Sequence, residues 1–241
     1  MKNAIVIGAS SGLGKEVAKL LLADGWKLGI AARRVDRLEE IKALAPDKVE
    51  IQAIDVTSDD APLALEELIT RTGGMDLFFY ASGVGKQNME LDPDTEMNTV
   101  ITNGLGFTRM IGAAYRYMAQ NGGGHIAAIS SIAGTKGLGA APSYSATKAF
   151  QNTYIQSLEQ QANMRGINIS FTDLRPGFVA TPLLGDDPKY PMLLKPEKVA
   201  REMVKAIYRH RHVWVIDWRW RIATALWRRI PRLIWRHLPI R

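Results

Sequence analysis

The chain has 241 residues, of which 46% are hydrophobic, carries a net charge of +7 and contains no cysteine. A chain of this length can bury one sizeable core, and the lack of cysteine excludes disulfides and thiolate metal sites, so we expect one domain without a metal centre. The apolar stretch at the start is too short for a signal peptide, and no run approaches the roughly 18 uncharged apolar residues of a membrane-spanning helix, which predicts a cytoplasmic protein.

Seven short β-branched runs alternate with longer segments whose apolar residues recur at helical spacing. Continuously apolar runs such as AIVI and LFFY are typical of parallel strands covered by helices on both faces. The predicted fold is therefore α/β, a doubly wound sheet of seven parallel strands with ligands outside the carboxyl ends of the strands. The predicted strands span residues 3–8, 27–32, 49–54, 76–81, 125–130, 167–174 and 213–216.

A glycine-rich segment, Gly8-Ala9-Ser10-Ser11-Gly12-Leu13-Gly14, follows the first predicted strand and opens a helix. Glycines permit a tight turn and let backbone N–H groups approach a pyrophosphate, which predicts a dinucleotide-binding loop. The predicted cofactor contacts in it are Gly8, Ser10, Ser11, Gly12, Leu13 and Gly14. The alternatives are a purely structural turn and the G-x-S-x-G turn of a serine hydrolase, in which Ser10 would be the nucleophile and His210, His212 or His237 the base.

Two arginines, Arg33 and Arg34, end the second predicted strand, where a dinucleotide fold places the adenosine ribose. An acidic residue there would bind a 2′-hydroxyl, whereas a guanidinium binds a 2′-phosphate, so the pair favours NADP(H) over NAD(H), with Arg33 the stronger candidate. The alternative is that the arginines cap an exposed strand end. Asp55 and Val56 close the third strand, where Asp55 either contacts the adenine or caps the next helix.

Tyr144 and Lys148 lie four residues apart in a helical segment, which places both side chains on one face. We expect the Lys148 ammonium to lower the pKa of Tyr144 below its ordinary value of about 10, so that the phenol can exchange a proton near neutral pH. Such pairs are common on helix surfaces. A catalytic role for this pair is supported by Ser131, which follows the fifth predicted strand. A hydroxyl at that position can hydrogen-bond a substrate carbonyl.

In their order along the chain, these elements resemble the short-chain dehydrogenase/reductase family over about residues 3–216. The resemblance rests on Gly8-x-x-x-Gly12-x-Gly14, Asn103, Ser131, Tyr144, Lys148 and Pro176-Gly177-Phe178-Val179-Ala180-Thr181. The sequence departs from the family at Ile7, where threonine is usual, and at Tyr80-Ala81-Ser82-Gly83, where Asn-Asn-Ala-Gly is usual. The resemblance implies a Rossmann-type fold and a homodimer or homotetramer.

The resemblance also implies a role for each catalytic residue, in the reduction of a ketone or the oxidation of a secondary alcohol. Tyr144 would protonate the carbonyl oxygen as a nicotinamide delivers hydride, Lys148 would hold the ribose hydroxyls, and Ser131 would polarise the carbonyl. Asn103 would anchor a relay water through its backbone carbonyl. The further predicted cofactor contacts are Ala81, Ser82, Gly83, Tyr144, Lys148, Pro176, Gly177, Val179 and Thr181. The main alternative is a non-catalytic dinucleotide-binding or scaffold protein.

The positive charge is concentrated at the end of the chain, where residues 208–241 carry nine arginines, one aspartate and five of the six tryptophans. We therefore separate a domain, residues 1–216, from a basic tail, residues 217–241. Helical spacing of its apolar residues predicts that the tail lies on an anionic membrane surface. The alternative is packing on the body or across a dimer interface, and nucleic acid is not an expected partner.

Residues 227–240 also resemble the tail of short-chain reductases that act on polyprenyl-phosphate-linked keto sugars. This second resemblance implies a hydrophobic or lipid-linked carbonyl substrate. The segment 182–196 is long enough to act as a substrate lid.

Overall fold

A computed structural model describes residues 2–184 and 190–240 of the protein, and its strands form a seven-stranded parallel sheet. The strands are β1 Asn3–Ile7, β2 Lys27–Ala32, β3 Val49–Ala53, β4 Leu77–Tyr80, β5 Gly124–Ile129, β6 Ile169–Arg175 and β7 Val213–Val215. Their order in the sheet is β3-β2-β1-β4-β5-β6-β7. All seven predicted strands are confirmed, with ends that agree within two residues.

Helices cover both faces of the sheet. They are α1 Gly12–Ala23, α2 Asp36–Lys42, α3 Ala61–Thr72, α4 Pro93–Val100, α5 Phe107–Gln120, α6 Pro142–Met164, α7 Pro196–Tyr208, α8 Trp218–Arg229 and α9 Arg232–Trp235. Buried side chains of α1, α2 and α7 pack in one core, and those of α3, α5 and α6 pack in the other. The predicted doubly wound, Rossmann-type architecture is confirmed.

Side-chain alternation along β1 explains why its four buried residues, 4–7, are all apolar. Ala4 and Val6 pack in the first core, whereas Ile5 and Ile7 pack in the second, on the opposite face of the sheet. Successive side chains of a strand point to opposite faces, so a strand with helices on both sides must be apolar at every position.

The sheet reverses its winding direction at β1, which pairs with β2 on one side and with β4 on the other. The connections that leave the carboxyl ends of β1 and β4 therefore run to opposite faces and leave a crevice between them. The glycine-rich segment begins in this crevice, where Ala81 N donates to Ile7 O at 2.8 Å. Backbone atoms thus hold the two strand ends together, although Ile7 and Ala81 depart from the family pattern.

Two segments differ from a simple helix–loop alternation. A π-helical stretch, Ile101–Gly106, joins α4 to α5 and was not predicted. The predicted lid, residues 182–196, falls partly outside the described residues, at 185–189, and its last residue begins α7. Just before α7, Leu194 pairs with Val179, which ties this part of the segment to the chain that follows β6. No helix in the described ranges is long and apolar enough to cross a bilayer.

Candidate active site

A cavity of about 1160 Å³ opens at the carboxyl edge of the sheet. Every predicted site residue except Asn103 lies in its wall. One part of the cavity is bounded by the glycine-rich segment and the ends of β2 and β3. The cavity wall also contains apolar and aromatic side chains, namely Leu138, Ala140, Tyr190, Trp220, Trp227 and Ile240. The sheet topology therefore brings together residues that are far apart in sequence.

Two glycines, Gly8 and Gly14, leave the cavity wall without side chains in the glycine-rich segment. Gly8 has φ +87°, and a Cβ there would stand 2.7 Å from Ser82 N, so both conformation and space require glycine. A Cβ at Gly14 would stand 2.2 Å from Gly8 O, which means that α1 packs directly on the turn. The first helical N–H groups of α1 lie beside this turn, an arrangement that suits a phosphate group.

The arginines after β2 line the same cavity. Arg34 Nη2 lies 3.5 Å from Ser10 Oγ and 3.4 Å from Ser11 Oγ, so Arg34 reaches across to the glycine-rich segment. Arg33 is exposed and faces Asp55. Asp55 Oδ1 accepts hydrogen bonds from Thr57 N and Thr57 Oγ1, which together with the charge of Arg33 hold the pKa of Asp55 below its ordinary value.

Tyr144 lies in the first turn of α6 and lines the cavity. A Cβ at Gly85 would stand 2.7 Å from the Tyr144 ring, so the missing side chain makes room for the phenol. Ser131 begins the 3₁₀ turn after β5, and its Oγ accepts a hydrogen bond from Ala133 N at 3.0 Å. Lys148 Nζ lies 5.7 Å from the centroid of the Tyr144 ring. The structure therefore places the hydroxyl, phenol and ammonium groups together.

Burial is the largest cause of the pKa shifts of Tyr144 and Lys148. It raises the pKa of Tyr144, and the hydrogen bond with the Ser131 side chain offsets this only in part. Burial also lowers the pKa of Lys148 to about 8, while the charge of Asp173 acts in the opposite direction. The prediction that the pKa of Tyr144 lies below its ordinary value is therefore wrong, because removing water from the phenol disfavours the phenolate.

Asn103 lies behind the cavity wall, in the π-helical stretch. Its side-chain Oδ1 accepts from Val84 N at 2.9 Å and its Nδ2 donates to Val84 O at 2.7 Å, which fixes the segment after β4. Its backbone carbonyl, the group expected to anchor a relay water, accepts a hydrogen bond from Gln151 Nε2 at 2.9 Å. Sequence reasoning missed Gln151, although its position three residues after Lys148 on the same helix was a usable signal.

A family model described as short chain dehydrogenase matches residues 2–190. The chain belongs to the short-chain dehydrogenase family. Among its relatives is an uncharacterized oxidoreductase of Myxococcus xanthus, 32% identical over 238 residues, which cover 95% of this chain and 93% of that protein. The protein is thus an oxidoreductase of the short-chain dehydrogenase type, as the order of its motifs predicted.

Solved structures of similar proteins carry nicotinamide dinucleotides. An alcohol dehydrogenase of Thermococcus sibiricus complexed with 5-hydroxy-NADP has a TM-score of 0.78 and 26% identity, over 90% of this chain and 96% of that one. A 3-ketoacyl-(acyl-carrier-protein) reductase of Brucella melitensis complexed with NADH has a TM-score of 0.80 and 22% identity, with the same coverage of both chains. The likeness to the second structure concerns the fold alone.

In this short-chain dehydrogenase, the tail packs against the body through a row of aromatic rings. Trp220 of α8 is only 2% exposed and lies edge-on to Phe178, with ring centroids 5.6 Å apart. Trp227 lies 6.1 Å from Trp220, and Trp235 lies 5.8 Å from Trp227. Trp235 Nε1 also donates to Gly137 O at 2.8 Å. Sequence reasoning missed Trp220 and Trp227 as cavity residues, because spacing within the tail cannot show which face meets the body.

The geometry of this dehydrogenase does not support the serine hydrolase alternative. Ser10 follows the carboxyl end of β1, whereas His210 and His212 directly precede β7 and therefore lie at the opposite edge of the parallel sheet. His210 stacks on His125, and His212 pairs with Glu159. Within the ranges that the structure describes, the hydrogen bonds of Ser10 include no histidine, and its recorded partner is Arg34.

Proposed function

We propose that the protein is an NADP(H)-dependent carbonyl reductase, which can also oxidise the corresponding secondary alcohol, and that its substrate is hydrophobic. The observation that carries the proposal is that Tyr144 lines the same cavity as the glycine-rich segment and the apolar side chains of the tail. The chain fits a dinucleotide because Gly8 and Gly14 keep the turn before α1 free of side chains. When bound, the nicotinamide supplies the hydride.

In this proposal Tyr144 is the proton donor. A phenol whose pKa is raised by burial stays protonated at neutral pH and can donate to a carbonyl oxygen that gains negative charge. Ser131 supplies a second hydrogen bond to that oxygen, and Lys148 holds the ribose hydroxyls with the N–H that faces the cavity. A positive charge near the phenol also stabilises the phenolate that remains after donation. Ser131, Tyr144 and Lys148 form the proposed catalytic set, with Asn103 holding the wall behind them.

The preference for NADP(H) rests on Arg33 and Arg34, because the two solved structures carry different dinucleotides, one of the NADP type and the other NADH. Both arginines border the cavity at the end of β2, where the ribose of a dinucleotide lies. Guanidinium groups bind phosphate oxygens in a bidentate manner. Arg34 has the better support, since it already lies beside Ser10 and Ser11 of the phosphate loop.

An apolar substrate is favoured by the apolar lining of the cavity. Trp220, Trp227 and Ile240 of the tail line it, together with Leu138 and Ala140 of the body. Aromatic and aliphatic walls with few polar groups gain most from burying apolar surface. Trp235 packs on Trp227, one of the cavity residues, and an aromatic wall of this kind suits an elongated or lipid-linked carbonyl compound.

The outer face of the tail fits an anionic membrane surface. Trp218, Ile222 and Leu226 are four residues apart on α8, and all are more than half exposed. Beyond α8, Leu233 and Ile234 continue the exposed apolar surface. The arginines of the tail flank it, and such a surface gains both apolar burial and attraction to acidic lipids. This surface would bring the cavity to the membrane that holds a lipid-linked substrate.

A second exposed apolar stripe fits self-association. Met97, Ile101 and Leu105 are four residues apart on α4 and the π-helical stretch, and the exposed Phe150 lies on the adjacent α6. We propose that this stripe is the interface of a homodimer or homotetramer, which sedimentation of the native chain and of Leu105→Lys would test.

The function is tested by mixing the purified chain with NADPH or NADH and a panel of ketones and lipid-linked keto sugars. We expect saturable binding of NADPH, tighter than that of NADH, and oxidation of NADPH that depends on an apolar ketone. Binding of NADPH without turnover on any of the panel would favour the non-catalytic scaffold instead. Absence of binding to either dinucleotide would contradict the proposal.

A further inference from the structure

Gln151 connects the Lys148 ammonium to the π-helical stretch. Its Oε1 accepts a hydrogen bond from Lys148 Nζ at 2.9 Å, and its Nε2 donates to Asn103 O at 2.9 Å. Gln151 is fully buried, and Lys148 is almost so. The link therefore exists within the protein interior, away from competing water.

The two partners of Gln151 fix the orientation of its amide. An ammonium can only donate and a carbonyl can only accept, so Oε1 must face Lys148 and Nε2 must face Asn103. A second bond, from Lys148 Nζ to Ile129 O at 3.2 Å, holds the ammonium from the end of β5. With two of its N–H groups held in this way, the ammonium can present its remaining N–H only to the cavity.

We infer that Gln151 is a positioning residue for Lys148: its amide fixes the direction of the ammonium and links it to the Asn103 carbonyl. The inference rests on the proposed function, since Lys148 belongs to the proposed catalytic set.

The charged and titratable groups around Lys148 set the direction of the effect. They are Tyr144 on the same helix and Asp173 on β6, and Asp173 is itself paired with Arg175. Burial disfavours the ammonium. A carbonyl oxygen that accepts a hydrogen bond from it, as Gln151 Oε1 does, favours the charged form. Removing the Gln151 acceptor while keeping its volume should therefore lower the pKa of Lys148.

The experiment titrates Lys148 directly. Full-length protein labelled with ¹³C-lysine is followed by NMR against pH, and the Lys148 Cε signal is identified by its loss in Lys148→Met. In Gln151→Met we expect the titration midpoint of Lys148 to fall by roughly one pH unit. The control is Gln156→Met, at an exposed position of the same helix, which should leave the midpoint unchanged. A folded Gln151→Met protein with the native midpoint would overturn the inference.

A measurement on the unsubstituted protein covers the case in which Gln151→Met does not fold. The side-chain N–H signals of Gln151 should exchange slowly with solvent and should shift with the same midpoint as Lys148 Cε. Rapid exchange, or an absence of response to the lysine titration, would refute the link. Neither readout requires turnover, so a failure to find hydride transfer would refute the proposed function without affecting these results.

Discussion

The indole of Trp220 lies directly on the Cα atom of Gly177, so that a Cβ at Gly177 would stand 2.2 Å from Trp220 Nε1. We expect Gly177→Ala to displace α8 and to lower the free energy of unfolding by about 1 to 3 kcal/mol, the usual cost of overpacking. Urea unfolding measures this. Gly139→Ala is the matched control, because a Cβ there would meet nothing within 4 Å. Equal stability of the two variants would show that the tail does not pack on Gly177.

The membrane proposal is tested on the exposed side of α8 rather than by deleting the tail, since deletion would also remove the buried Trp220. We expect replacement of Trp218, Ile222 and Leu226 by glutamine to weaken binding to vesicles of acidic phospholipid by roughly tenfold or more, because three apolar side chains lose their burial. Vesicle co-sedimentation measures the change. A control triple variant, Leu44→Gln, Leu63→Gln and Met164→Gln, changes exposed side chains elsewhere and should bind as the native protein does.

Cofactor preference is tested at the end of β2. We expect Arg34→Ala, and to a similar or smaller extent Arg33→Ala, to weaken NADPH binding by roughly tenfold or more while changing NADH binding little, because only NADPH carries the 2′-phosphate. Calorimetric titration with both dinucleotides measures the two affinities. Arg37→Ala is the control, since Arg37 pairs with Asp36 and Glu40 and lies outside the cavity wall. Equal weakening of NADPH and NADH would contradict the assignment.

We expect the protein to lose stability in acid because of His125, which does not line the cavity. Burial lowers the pKa of His125 to about 4, with a smaller contribution from His210, which stacks on it. The unfolded chain binds a proton near the ordinary pKa of 6.5, whereas the folded chain does not until about pH 4. We therefore expect the unfolding free energy to fall by up to about 3 kcal/mol as the pH drops through this window.

Denaturant unfolding at several pH values measures this slope. His125→Asn should lose most of it, whereas His237→Asn, at an exposed histidine of the tail, should keep it. The same slope in the native protein and in His125→Asn would assign the acid sensitivity to other groups.

The sheet was predictable because each strand carries its own signal. Runs such as LFFY at β4 are apolar at every position, which identifies the strands and predicts that they pair in parallel. The glycine turn after β1 predicts where the crevice lies. The positions of Ser131 and Tyr144 followed from the same reasoning. Both lie just beyond the carboxyl edge, one after β5 and the other at the start of α6.

Features that depend on packing between distant segments were not predictable. The burial of Trp220 depends on Gly177, 43 residues earlier in the chain, and spacing within the tail does not reveal it. The pKa of Tyr144 depends on how completely the folded chain excludes water from the phenol, which spacing along one helix does not show. The link through Gln151 required the π-helical stretch to place Asn103 O beside α6, and the sequence gives no periodic sign of that stretch.

The most direct test is the rate of NADPH oxidation by an apolar ketone, compared between the native chain and Tyr144→Phe. We expect the substitution to lower kcat by roughly a hundredfold or more, because it removes the proton donor, while the affinity for NADPH stays close to native. Tyr154→Phe, on the same helix but outside the cavity wall, should retain the native rate. A Tyr144→Phe protein that turns over at the native rate would contradict the account.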